Sequence, residues 1–166
     1  GCVESGHRNG LAFIHGRLRV GEAMVPPLIR AVRAQSAAAK CIIIDAPPGT
    51  SCPVIAAMKN ADFVLLVTEP TPFGLHDLKL AVEAVKRLGI SHGLIINRAD
   101  IGDRRVHDYA RDENIPLLMD IPFDRQIAEI YARGEMLVEA LPQWKASFQA
   151  LYTRIVELTA SSGRMQ

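Results

Sequence analysis

The sequence predicts an α/β protein built on a mostly parallel sheet with helices on both faces. Three apolar runs, at 41–44, 63–67 and 94–96, lack polar alternation, as do strands that are buried on both faces. Segments with helical periodicity lie between these runs, and such alternation is typical of parallel sheets with crossover connections. No repeat or low-complexity segment interrupts the pattern, so we expect a single domain over 1–166 with a frayed tail at 161–166.

Composition limits the classes of protein that are possible. The chain is 49% hydrophobic, which suits a domain with a sizeable core. Its net charge of +1 argues against nucleic acid or an anionic membrane as an obligatory partner. No apolar run approaches the roughly 18 residues of a membrane span, so we expect a cytoplasmic protein. The three cysteines form no C-x-x-C pair, which argues against a disulfide framework or a thiolate metal site.

The first third of the chain is predicted to hold two short strands, a long helix and a buried strand. The strand candidates are 11–14 and 18–20, on either side of Gly16. Pro26 and Pro27 are typical of a helix start, and the apolar positions that follow predict a helix to about Ala39. The apolar run at 41–44 then predicts a strand that ends at Asp45.

The rest of the chain alternates between helices and strands. We predict helices at 53–58, 75–88, 104–113, 124–132 and 142–158, and strands at 61–68, 93–97 and 115–121. Leu75, Leu78, Val82 and Val85 form one apolar face of the second of these helices, and Gly89 ends it.

Asp45 is the first candidate site residue, because ligands of parallel sheets bind beyond the carboxyl ends of the strands. Pro47 and Pro48 stiffen the chain after this carboxylate, and Gly49 has no side chain to keep a phosphate oxygen from its amide. The pattern predicts a magnesium-bound nucleotide at this point. The alternative is that Asp45 caps the helix at 53–58 and that Gly49 is an ordinary turn glycine.

Four motifs in a fixed order give the sequence a family resemblance. They are Asp-Ala-Pro-Pro-Gly-Thr at 45–50, Val-Thr-Glu-Pro-Thr-Pro-Phe-Gly-Leu-His-Asp-Leu-Lys at 67–79, Ile-Ile-Asn-Arg at 95–98 and Ile-Pro-Phe-Asp at 121–124. Together they resemble the MinD superfamily of P-loop ATPases, and within it the branch with an inserted ferredoxin domain, which is related to the Mrp-type iron-sulfur carriers. The resemblance implies a P-loop NTPase-like fold with ATP and Mg²⁺ as cofactors.

The resemblance also implies roles for single residues. Asp45 is expected to hold Mg²⁺ through water, and the Gly49 amide to meet the third phosphate, so both count as catalytic. Asn97, Arg98 and Pro122 are expected to bind the nucleotide, with Asn97 and the backbone beside Pro122 at the base. The alternative for Pro122 is that it only ends its strand. A side-chain amide donates and accepts at once, which suits the edge of adenine, but asparagine is also common in turns and caps.

The loop after the strand at 61–68 matches a family segment near the nucleotide and the dimer face. It contains Thr68, Glu69 and Pro70, and Asp77 follows in the next helix. Their chemistry is not readable from the sequence, so we expect structural roles for them.

The sequence departs from the family in the phosphate loop. Family members carry a glycine-rich loop whose lysine neutralises the phosphates, whereas no glycine in this sequence precedes a lysine. We therefore expect the chain to be the carboxyl-terminal part of a longer protein. Its sheet would lack the phosphate-loop strand, so we expect the two flanking strands to close up or copies of the chain to swap strands.

The resemblance implies a homodimer that binds ATP between its subunits and passes an iron-sulfur cluster to a client protein. The cluster would bind only in the missing upstream segment. This chain alone is expected to bind nucleotide weakly and not to hydrolyse it. The alternative is a non-catalytic dimerisation or interaction module derived from the same scaffold. A dinucleotide-dependent oxidoreductase is disfavoured, because no G-x-G-x-x-G follows a strand.

Overall fold

The computed structural model of the protein describes residues 1–22, 24–35 and 39–162. The chain divides into two compact units, Gly1–Asn60 and Ala61–Gln166. The single-domain organisation stays a prediction, because two such units can belong to one folding domain.

The first unit begins with an antiparallel hairpin of β1 (Cys2–Arg8) and β2 (Leu11–Arg17). Its two-residue turn is formed by Asn9 and Gly10, whose φ angles are 50° and 80°. Positive φ at both central positions is the type I′ conformation, which matches the twist of the strands it joins and favours Asn-Gly.

This hairpin corrects the prediction for the start of the chain. The predicted break at Gly16 is wrong, since β2 continues through it and pairs Gly16 with Val3. No strand forms at 18–20, and β1 was not expected. The Asn9-Gly10 turn sets the register from Arg8 opposite Leu11, and that register extends β2 to Arg17.

Two helices complete the first unit, α1 (Val25–Gln35) and α2 (Cys52–Met58). Arg33 of α1 joins them, because its guanidinium donates to the carbonyl oxygens of Ala56 at 3.1 Å and Ala57 at 2.9 Å, and also to that of Lys59. These carbonyls belong to the last turn of α2, where helical partners are lacking. The predicted extension of α1 through 36–38 lies outside the described residues.

The buried strand predicted at 41–44 is wrong. The segment forms neither helix nor strand, and the exposed fractions of Ile42, Ile43 and Ile44 are 46%, 91% and 37%. An apolar run becomes a strand only where another strand satisfies its backbone groups, and no strand pairs with this one in the described part of the chain. The expected close-up of this strand with the next one is therefore wrong too, and strand swapping between copies stays a prediction.

The second unit confirms the α/β class, with a parallel sheet flanked by helices. Its elements are β3 (Val64–Thr68), α3 (Pro72–Leu88), β4 (His92–Asn97), α4 (Arg105–Asp112), β5 (Leu117–Ile121), α5 (Arg125–Ala132), α6 (Leu137–Ala140) and α7 (Gln143–Ser162). The strands lie in the order β3-β4-β5, and both pairings are parallel. Each predicted helix and strand after residue 60 is confirmed to within a few residues, and the short α6 was not expected. The predicted frayed tail at 161–166 is wrong for residues 161 and 162, which belong to α7, and the rest of it lies outside the described residues.

The core of the second unit surrounds β4. Leu94, Ile95 and Ile96 are consecutive residues with exposed fractions of 4% or less, so β4 is buried on both faces. Val82 and Val85 of α3 belong to the same buried set. This burial fixes the position of the strand whose carboxyl end carries Asn97.

None of the helices in the described ranges is long and apolar enough to cross a membrane.

Candidate nucleotide-binding site

The carboxyl ends of β3, β4 and β5 meet at one edge of the sheet. Thr68 at the end of β3 is paired with Ile96, and Asn97 at the end of β4 is paired with Ile121 of β5. The next residues in the chain, among them Arg98 and Pro122, therefore leave the sheet side by side. This is the edge at which open parallel sheets bind their ligands.

Four side chains at the ends of the three strands form what we call the strand-end cluster: Glu69 follows β3, Asn97 and Arg98 lie at the end of β4, and Phe123 follows β5. The Asn97 Nδ2 atom lies 3.4 Å from Glu69 Oε1, and the Arg98 Nε atom lies 3.5 Å from the same oxygen. The exposed fractions of the Glu69 and Arg98 side chains are 39% and 52%, so the cluster is open to a ligand.

Arg98 also connects the loop after β4 with the loop after β5. Its guanidinium carbon lies 5.8 Å from the centroid of the Phe123 ring, within the range of a cation–π contact. The Phe123 N–H donates to Asp100 Oδ1 at 2.5 Å, and the Ala99 N–H donates to the Ile121 carbonyl at 2.9 Å. The loops after β4 and β5 are thus tied together by three contacts.

The loop between β3 and α3 is fixed by hydrogen bonds at the start of α3. Thr71 is the N-cap, and its hydroxyl accepts from the Gly74 N–H at 3.0 Å. Thr68 Oγ1 donates to the Gly74 carbonyl at 2.9 Å. Glu69 lies between these two anchored threonines, so its backbone is held at the sheet edge. Asp77 lies inside α3 and does not cap it.

The predicted site residues fall into two groups. Asn97, Arg98 and Pro122 lie at the same edge of the second unit, as the sequence predicts. Asp45 and Gly49 belong to the first unit, in an exposed segment without helix or strand, and φ of Gly49 is +93°. The alternative that Asp45 caps α2 is wrong, because Ser51 is the N-cap. The catalytic and metal-binding roles of Asp45 and Gly49 stay predictions.

Sequence reasoning underestimated Glu69 and missed Phe123. Both follow the end of a strand within two residues, and that position was the available signal. Neither residue type alone indicates a binding site, because exposed glutamates and single phenylalanines are ordinary on protein surfaces.

The groups available for a metal ion are few. In the ranges 1–22, 24–35 and 39–162, no three His, Cys, Asp or Glu side chains converge. Asp45 presents one exposed carboxylate. Mg²⁺ in nucleotide sites is held mainly by phosphates and water with one or two carboxylates, so a single exposed carboxylate fits an outer ligand of that ion.

A parallel sheet flanked by helices, with polar side chains at the carboxyl ends of its strands, places the chain in the class of open α/β proteins, which bind ligands at that edge and include many nucleotide-binding proteins. The chain is similar in structure to the cell division ATPase MinD of Pyrococcus furiosus, with 25% identity, a TM-score of 0.57 and coverage of 86% of this chain and 58% of that one. It is also similar to the septum site-determining protein MinD of Pyrococcus horikoshii, determined in complex with Mg-ADP, with 27% identity, a TM-score of 0.58 and coverage of 85% and 56%.

Sequence relatives agree with this fold. The uncharacterized protein MJ0579 of Methanocaldococcus jannaschii is 33% identical over 133 residues, which are 79% of this chain and 46% of that protein. An iron-sulfur cluster carrier protein of Aquifex aeolicus is 28% identical, over 61% of this chain and 32% of the carrier. A cytosolic Fe-S cluster assembly factor of Aedes aegypti, a Nubp2 homolog, is 28% identical, with coverage of 64% and 48%. No protein-family model matches the chain.

The chain belongs to the MinD superfamily of ATPases and is related to the Mrp-type iron-sulfur carriers. It spans about half the length, or less, of the curated relatives it matches.

Proposed function

We propose that this chain provides the base-binding part of an ATPase that acts in iron-sulfur cluster or metal-centre assembly. The observation that carries the proposal is the strand-end cluster, which collects an amide, a guanidinium and an aromatic ring at the ligand-binding edge of a parallel sheet. The amide suits the hydrogen-bonding edge of adenine, and the ring and guanidinium offer flat surfaces to a base.

The phosphate end of the nucleotide has fewer partners in this sequence. Catalysis of phosphoryl transfer depends on positioning and on neutralisation of charge, which in this class comes from a glycine-rich loop and its lysine. No glycine here precedes a lysine. We therefore propose that the 166-residue chain binds Mg-ATP weakly and does not hydrolyse it, with Asp45 as an outer ligand of Mg²⁺ through water and the Gly49 amide near the third phosphate.

An NMR titration of the ¹⁵N-labelled chain with Mg-ADP tests the base-binding site. We expect shift changes that saturate at millimolar nucleotide and are centred on the amides of Asn97, Arg98 and Phe123. The Asn97→Ala variant should lose them. Resonances of the strand-end cluster that stay in place at saturating nucleotide would refute the proposal.

Hydrolysis and affinity are tested separately. We expect no phosphate release above background from Mg-ATP. Calorimetry that gave micromolar binding of Mg-ATP to this chain would contradict the weak-binding part of the proposal, because it would require phosphate contacts that we do not assign.

The absence of a glycine-lysine pair also favours a second candidate, a non-catalytic dimerisation or interaction module on the same scaffold. For the ATPase we propose a cytoplasmic homodimer with a client protein that receives the cluster. Sedimentation of the chain with and without Mg-ATP separates the two candidates, since a dimer that forms equally well without nucleotide favours the second.

A further inference from the structure

We propose that Glu69 is a positioning residue that makes the site selective for adenine over guanine, by fixing which end of the Asn97 amide faces the ligand. The inference rests on the proposed function and adds a determinant of base specificity to it.

The orientation of the Asn97 amide follows from the chemistry of its partner. Asn97 Nδ2 lies 3.4 Å from Glu69 Oε1. A carboxylate accepts hydrogen bonds and has none to donate, so the nitrogen end of the amide must face Glu69. The two ends of an amide are nearly identical in shape, and only such a partner distinguishes them. Asn97 Oδ1 is therefore the end turned away from Glu69.

An outward oxygen discriminates between the purines. Adenine carries an amino group beside N7, whereas guanine carries the acceptor O6 at the same position. The Asn97 oxygen accepts from the amino group of adenine but is left facing an oxygen of guanine. A buried or half-buried acceptor without a donor is costly, so the guanine complex is the weaker one.

Glu69 also forms an ion pair with Arg98. Arg98 Nε lies 3.5 Å from the same carboxylate oxygen, and the Arg98 guanidinium lies over the Phe123 ring. The carboxylate thus lies near two nitrogen groups, the Asn97 amide nitrogen and the Arg98 guanidinium, and neither of them can accept a hydrogen bond. A glutamine at this position offers both an oxygen and a nitrogen to Asn97, so it allows either orientation of the amide.

The test compares the dissociation constants of ADP and GDP for the chain and its Glu69→Gln variant, by NMR titration. We expect the chain to bind ADP roughly fivefold or more tightly than GDP, since a paired base edge discriminates by at least about that factor. In Glu69→Gln the ratio should fall towards one. The control is Glu83→Gln, which removes a carboxylate paired with Arg87 at 2.6 Å on the same unit and should leave the ratio unchanged.

The outcomes separate the inference from the function on which it rests. A chain that binds neither nucleotide refutes the proposed function and the inference with it. Binding of ADP with no preference over GDP, or a preference that Glu69→Gln leaves intact, overturns the inference alone. The side-chain NH₂ resonances of Asn97 give a second readout without nucleotide, because they should shift in Glu69→Ala and stay in place in Glu83→Gln.

Discussion

The guanidinium carbon of Arg98 lies 5.8 Å from the centroid of the Phe123 ring, and the backbone of Arg98 has a φ of 52°. A left-handed conformation costs a residue with a side chain about 1 to 2 kcal/mol. Such strain persists where surrounding contacts determine the conformation, and it concentrates at functional sites. Backbone hydrogen bonds flank this residue, because the Ala99 N–H donates to the Ile121 carbonyl at 2.9 Å and the Ile101 N–H donates to the Arg98 carbonyl at 3.0 Å, so the conformation does not depend on the side chain alone.

Replacement of Arg98 by alanine and by glycine separates strain from contact. Arg98→Ala keeps the strained backbone and loses the cation–π contact, so we expect the free energy of unfolding to fall by about 0.5 to 1 kcal/mol. Arg98→Gly loses the same contact but relieves the strain, so it should be more stable than Arg98→Ala by about 1 kcal/mol. Urea titration followed by the fluorescence of Trp144, the single tryptophan and part of α7, measures both. The reverse order of stability would show that the backbone is not strained.

Arg33 is expected to stabilise the end of α2, the helix that follows the segment with Asp45 and Gly49. Replacement of Arg33 by methionine removes its donors to three carbonyls and keeps most of its apolar stem. Hydrogen bonds from a charged donor are worth about 1.5 to 3 kcal/mol, so the Lys59 amide should exchange its hydrogen roughly tenfold faster or more. Arg30→Met, at an exposed position of the same helix, is the control. Equal exchange in the two variants would contradict this role.

Arg105 holds the pKa of Asp103 below its ordinary value of 3.8, through a side-chain hydrogen bond first and its backbone N–H second. A carboxyl group whose pKa is lower in the folded state contributes stability above its unfolded-state pKa. That contribution is lost as the pH falls from about 3.8 through the lower folded-state value.

An NMR titration of the Asp103 carboxyl carbon tests this sign. Arg105→Ala should raise the midpoint towards 3.8. Arg125→Ala, which removes a guanidinium paired with Glu129, should leave the midpoint where it is. A midpoint that Arg105→Ala does not move would mean that the pair is not formed in solution.

The elements of the second unit were predictable because the burial that their sequences indicate is the burial that they have in the structure. Leu94, Ile95 and Ile96 predict a strand buried on both faces. In the structure β3 and β5 pair with the backbone of this strand, and α3 contributes Val82 and Val85 to the same core. The run at 41–44 has the same pattern but a different outcome, since Ile43 is 91% exposed. An apolar pattern shows that a segment needs strands to pair with and side chains to pack against. It does not show whether such partners lie beside the segment in the folded structure.

The part of the site that lies at strand ends was predictable from the order of helices and strands. Asn97, Arg98 and Pro122 lie at strand ends, so the parallel register of the sheet brings them together. The link between Glu69 and Asn97 depends on the directions of two side chains that are 28 residues apart in sequence, which no local pattern encodes. The Asn9-Gly10 turn, in contrast, is a local signal for a hairpin. The predicted strand at 11–14 lies within β2, and the turn accounts for what that prediction lacked, which is the partner strand β1 and the continuation of β2 through Gly16.

Gly102 is expected to be required for the close approach of two loops beside the strand-end cluster. Its φ is +122°, and a Cβ atom built there lies 2.2 Å from the Pro70 carbonyl oxygen. Alanine at this position must both adopt a strained backbone and displace the backbone of Pro70, so we expect Gly102→Ala to lower the free energy of unfolding by about 2 to 5 kcal/mol. The matched control is Gly134→Ala, where φ is +70° and a Cβ atom meets nothing within 4 Å. It should cost only the backbone strain of about 1 to 2 kcal/mol. The free energies of unfolding of both variants are measured by urea titration with Trp144 fluorescence. Equal decreases in the two variants would mean that the backbone of Pro70 moves aside at no cost in stability.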